Sequence, residues 1–157
     1  MSLAAGMVGT VYRTCRGSVV VSAALLLVLG PVLWPVLGAA RAQDVSFGER
    51  LYQDKADCQF CHGIKGDGRG DPRSPGKAPD LHKTRLDRDQ LIEVVTCGRP
   101  GSEMPHFDKY AYDDKGCYGL AAAELGNSIP PEPHSTSLTK REIAAVVDYV
   151  VATFVGK

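Results

Sequence analysis

The amino-acid sequence predicts an all-α domain of three main helices joined by long loops. Two capping boxes, an apolar stripe at helical spacing and the lack of any alternating strand-like segment or internal repeat point to it. The first box is Ser46-Phe47-Gly48-Glu49, in which the Ser46 hydroxyl accepts from the Glu49 amide while Glu49 reaches back; it starts a short helix through about Asp54. A second helix starts at Asp87-Arg88-Asp89-Gln90, carries Leu91, Ile92, Val94 and Val95, and stops at Gly98. Residues 63–79 lie between these two helices and are rich in glycine and proline, so they read as loop. Residues 108–137 are mostly polar, and only 120–125 read as a helical turn or two, closed by Gly126. The last helix opens with the box Thr139-Lys140-Arg141-Glu142, and Ile143, Val146, Val147, Val150 and Phe154 form one stripe facing a core. Loops this long with so little core are uncommon in a small domain. They make sense when wrapped round something large and apolar that the sequence does not itself contain.

Residues 1–42 do not read as part of that fold. Arg13 and Arg16 form a basic start, an apolar run follows from Val19, and Ala40-Arg41-Ala42 is a small-x-small cleavage signature before Gln43. The expectation is a cleaved signal peptide and export to the periplasm. The run is long enough for an uncleaved anchor, which stays as the alternative, although Pro31 and Pro35 interrupt it. Cys15 precedes the apolar run, which argues against a lipid-modified N-terminal cysteine.

The expected mature domain, 43–157, is small enough for a cofactor to supplement its core usefully. Removing Arg13, Arg16 and Arg41 from 18 basic residues leaves 15 against 18 acidic ones, a net charge of −3. A nucleic-acid partner, which calls for a basic patch, is not expected, nor is a membrane if the signal is cleaved. Four cysteines remain, an even number for an oxidising compartment.

Cys58-Gln59-Phe60-Cys61-His62 is the attachment pattern of one covalent c-type haem. Two thiols three positions apart can form thioethers to the two vinyl groups of one porphyrin, and the next residue then brings an imidazole to the iron. A zinc site calls for a second ligand pair of similar spacing, but Cys97 and Cys117 stand alone. A redox dithiol calls for a βαβ setting, whereas this motif runs from a helix into a glycine-rich loop.

Met104 is the one methionine left after residue 42, and it stands in a polar turn, which makes it the candidate for the second axial position. His106, His82 and His134 compete, His106 being nearest. Cys97 and Cys117 read as a disulfide that ties down the turn presenting Met104. Pro79 offers a neighbouring carbonyl to the His62 Nδ1 proton, alongside plain loop rigidity. Gly66-Asp67-Gly68-Arg69-Gly70-Asp71 lacks the residues that complete a phosphate or calcium loop and reads as tight-turn backbone. Phe47, Tyr52, Phe60, Phe107 and Tyr149 read as core and haem-wall aromatics.

The pattern resembles the class I monohaem cytochromes c. The residues that carry the resemblance are the Gly48–Tyr52 helix, Cys58 to Gly63, Pro79-Asp80-Leu81, Met104-Pro105 and the Tyr149 helix. The resemblance implies a cytochrome c fold of three to five helices round one haem, with the first and last helices crossing near Gly48 and Tyr149. It departs at an insertion of about 108–137 with its extra cysteine pair. With Cys97, Cys117 and the 113–119 stretch, the chain is similar to the four-cysteine cytochromes of bacterial methanol metabolism. What this implies is an electron carrier, not an enzyme. Its redox partners would be a quinoprotein alcohol (methanol) dehydrogenase as donor and another cytochrome or an oxidase as acceptor. The alternatives are a membrane-anchored cytochrome subunit of a dehydrogenase or oxidase complex, and a haem enzyme or gas sensor with an open iron site.

Overall fold

A computed structural model describes residues 44–157. The expected signal peptide, 1–42, lies outside the described residues. Five helices follow one another without a strand among the described residues. They are α1 (44–50), α2 (Gln59–His62), α3 (Arg88–Cys97), α4 (Ala122–Leu125) and α5 (Lys140–Thr153). α1 continues directly into a π turn, Leu51–Lys55, and a 3₁₀ turn covers Leu81–Lys83.

Local chemistry accounts for most of these bounds. Asp87 caps α3 by accepting from the Gln90 amide while the Gln90 side chain accepts from the Asp87 amide; Gly98, at φ 66°, ends the helix. Thr139 and Glu142 make the equivalent pair at α5. Ser46 differs from expectation. The backbone is already helical at 44, so Ser46 lies inside α1 and is not its cap. Glu49 instead accepts from the Gln53 amide group one turn on, at 3.1 Å. A Ser-x-x-Glu pattern suits a helix interior as well as a start, and what precedes it decides.

The main core joins both ends of the described chain. Leu51 and Tyr52 after α1 pack with Ile143, Val146, Tyr149 and Phe154 of the last helix and its end, with Leu81 and Phe107 completing the cluster. Gly48 sits where the two helices cross. A Cβ there would overlap the Ala145 carbonyl oxygen and lie 2.6 Å from Tyr149 Cβ, so only glycine allows the approach. Tyr52, Tyr149 and Phe154 stack in tilted and edge-on pairs with centroids 5.4–5.6 Å apart.

A second, smaller core forms in the insertion. Cys97 at the end of α3 is disulfide-bonded to Cys117, and Ala111, Tyr112 and the partly buried Leu125 pack round the bridge. The insertion then returns to the main body, where His106 N donates to the Pro131 carbonyl, Leu138 N to Phe107 and the Ser135 hydroxyl to Ala56.

Candidate haem site

The Cys58–His62 motif is built by backbone geometry on both sides. Asp57, at φ 50°, turns the chain out of the π turn, and Phe60 N then donates to the Asp57 carbonyl at 3.0 Å. One helical turn follows, with His62 N donating to Cys58 O at 2.9 Å, so the two thiols and the imidazole share α2 and its N-cap, Cys58. The buried Tyr52 hydroxyl donates to the Gly63 carbonyl at 2.7 Å and ties the end of α2 to the core. Gly68 N donates to the His62 carbonyl at 2.9 Å, folding the glycine-rich loop back onto the motif. Within that loop Asp67 accepts from the Arg69 amide and Asp71 pairs with Arg73, the internal bonding of tight turns.

A cavity of about 760 Å³ opens beside this turn, lined by Cys58, Cys61 and His62, and also by Pro79 and Met104. Its remaining surface is largely apolar, with Leu81, Leu91, Val95, Phe107, Val147 and Val150 among the lining residues. His62 Nδ1 faces the Pro79 carbonyl oxygen at 3.3 Å, which leaves Nε2 as the ring nitrogen free of that bond. Burial lowers the His62 pKa, and the Pro79 contact opposes that in part. Burial pushes the Cys58 thiol up to about 12 and raises Cys61, with Asp57 and Glu103 adding to the latter. Neither of these two cysteines is disulfide-bonded.

Met104 reaches the cavity from the turn after α3. Arg99 N donates to the Met104 carbonyl at 3.2 Å, the Ser102 hydroxyl to the Arg99 carbonyl, and Met104 N to the Ser102 hydroxyl oxygen. The three rival histidines separate. His106 is buried away from the cavity lining, with Nδ1 on the Asp108 carbonyl at 3.0 Å and its ring edge-on to Tyr112. His82 pairs with the Asp80 carboxylate and packs against Phe154, also outside the lining. His134 lines the cavity. Tyr52, Phe60 and Phe107 line it too, whereas Phe47 and Tyr149 belong to the core alone.

Two features go beyond the sequence pattern, which singles out His134 alone among their residues as a candidate ligand. Residues 131–135 of the insertion all line the cavity, although their prolines read only as loop. The Tyr112 and Tyr118 hydroxyls reach the carbonyls of Cys97 and Gly98, both at 2.6 Å.

Residues 43–123 match the family model described as cytochrome c oxidase, cbb3-type, subunit III. The chain belongs to that family. It is therefore a c-type cytochrome domain with the cytochrome c fold, an electron-transfer protein rather than an enzyme, whose cofactor is covalently bound haem c. Such a domain works with redox partner proteins. No curated protein matches the chain, and no solved structure does. The cavity of this cytochrome fits its cofactor. It is large and mainly apolar, and it brings two thiols, an imidazole with an oriented tautomer and a thioether to one space.

Proposed function

We propose that this cytochrome is a periplasmic one-electron carrier in which Cys58 and Cys61 would attach the haem and His62 and Met104 would hold its iron. The observation that carries the reading is the single cavity shared by Cys58, Cys61, His62 and Met104. When bound, the haem supplies a one-electron iron couple, and a His/Met pair sets it at a higher potential than harder ligands do. The chain's own residues do the rest. The Pro79 carbonyl orients the His62 ring, Tyr52 steadies the backbone that follows it, and the apolar wall keeps water off the site. Residues 1–42 serve as a cleaved export signal, and the donor is a quinoprotein alcohol (methanol) dehydrogenase, on the resemblance of Cys97, Cys117 and the 113–119 stretch to four-cysteine cytochromes.

Absorption spectroscopy of the oxidised protein tests the ligation. A far-red methionine–iron charge-transfer band, lost in Met104→Ala, is expected. A high-spin spectrum in the wild type, or a low-spin one without the band that points to His134, overturns it. The family description favours a second reading, a cytochrome subunit of an oxidase complex. Mass spectrometry of the native protein separates the two. An N-terminus at Gln43 in a protein purified free of membranes supports the carrier, and one upstream supports the subunit.

A further inference from the structure

The end of α3 leaves its last carbonyl oxygens without partners in the helix, and the chain beyond Met104 supplies them in order. Val95 O accepts from Phe107 N, Thr96 O from Asp108 N, Cys97 O from the Tyr112 hydroxyl and Gly98 O from the Tyr118 hydroxyl. The Met104 turn is thus closed at both ends on one helix terminus, since Arg99 N also returns to the Met104 carbonyl. Gly98 is the point where everything meets. A Cβ there would lie 2.6 Å from Pro130 Cβ, 2.7 Å from Met104 O and 2.8 Å from His106 N. Tyr118 takes a left-handed backbone, φ 55°, a conformation that a tyrosine holds only where its surroundings fix it. The neighbouring Cys117 is bonded to Cys97, so the strained residue is anchored by the bridge beside the one carbonyl it serves, that of Gly98.

The geometry points to Tyr112 and Tyr118 as positioning residues: their two hydroxyls clamp the end of α3 and so hold the turn that presents Met104 to the cavity. The inference rests on the proposed Met104 ligation. The insertion then has a definite task in this cytochrome, which is to make the thioether side of the site rigid. An outside ligand that competes with Met104 has to open the turn, and opening breaks or strains these bonds.

Haem-loaded wild type, Tyr112→Phe, Tyr118→Phe and the double variant are titrated in the oxidised state with imidazole as competing ligand, and their melting temperatures are measured. Each substitution removes one oxygen and keeps the ring, and the single variants carry the test should the double variant fail to fold. Imidazole affinity is expected to rise about fivefold per hydroxyl removed, which corresponds to about 1 kcal/mol. Thr139→Ala, which removes the α5 cap far along the chain from the turn, is the stability-matched control. It is expected to lower the melting temperature with imidazole affinity unchanged. Tyrosine variants that lose stability yet keep wild-type imidazole affinity overturn the inference and leave Met104 ligation standing. A wild type without the methionine–iron band overturns the ligation itself, and the inference with it.

Discussion

Replacing Gly48 with alanine tests the crossing of α1 and α5 on which the core depends. In an ordinary helix interior the change stabilises, by about 1 kcal/mol, because alanine loses less backbone freedom than glycine. Here the new Cβ would overlap the Ala145 carbonyl oxygen, lie 2.6 Å from Tyr149 Cβ and 3.1 Å from the Ala145 carbonyl carbon. Two of those atoms are backbone and the third is bonded to it, so no rotamer change relieves the contact. Ordinary carbon contacts need 3.5–4.0 Å, and the helices therefore have to part by about 1 Å. Overpacking of this kind costs about 3 kcal/mol at the upper end of its range. The gain from propensity offsets about a third, leaving a net loss of about 2 kcal/mol. For a domain of this size that lowers the melting temperature by roughly 10 °C. Thermal unfolding of the haem-loaded protein, followed by far-ultraviolet circular dichroism, measures it. An alanine variant as stable as the wild type, or more so, would refute the close crossing.

Three further outcomes follow from other parts of the structure. Replacing Cys97 and Cys117 together with alanine removes a 20-residue closure, and denaturant titration is expected to show a loss of about 3 kcal/mol. Tyr52→Phe removes one of the two donors to the Gly63 carbonyl and leaves Gly66 N as the other, so the denaturant midpoint should fall by the equivalent of about 1 kcal/mol. The Lys55 ammonium, and after it the Thr139 amide, holds the Glu142 carboxyl below its ordinary value of 4.5. The stability this contributes is present above that value and is lost as pH falls through the lowered one. Glu142→Gln is expected to show less acid sensitivity than wild type between roughly pH 5 and 3, and parallel stability profiles would contradict the assignment.

How much could be read ahead of the structure depended on the range of each interaction. The caps at Asp87 and Thr139 are exchanges between residues three apart, so their signature is complete in four letters. The α5 stripe was legible for the same reason: Ile143, Val146 and Val147 are buried at a local period. Ser46 misled because a cap depends on the backbone before it, and the same letters serve inside α1. In the site, the two thiols and the imidazole are brought together by one turn, and their spacing alone carried the cofactor. The partners of Tyr112 and Tyr118 lie 15 and 20 residues back, and contacts at that separation leave no periodic trace. The same holds for residues 131–135, whose return to the cavity rests on single hydrogen bonds to His106 and to Ala56.

The clasp of Gly48 against Ala145 joins positions at opposite ends of the domain, with Phe154 closing the same cluster. Leu51 and Tyr52 find Leu81 and Phe107 earlier in the chain, but their packing on Ile143, Val146, Tyr149 and Phe154 waits for α5. Pairings between distant stretches are slow to form, because the loop between them has to close first. The packing that steadies the Cys58–His62 turn through Tyr52 is therefore completed only when the last helix docks on the first.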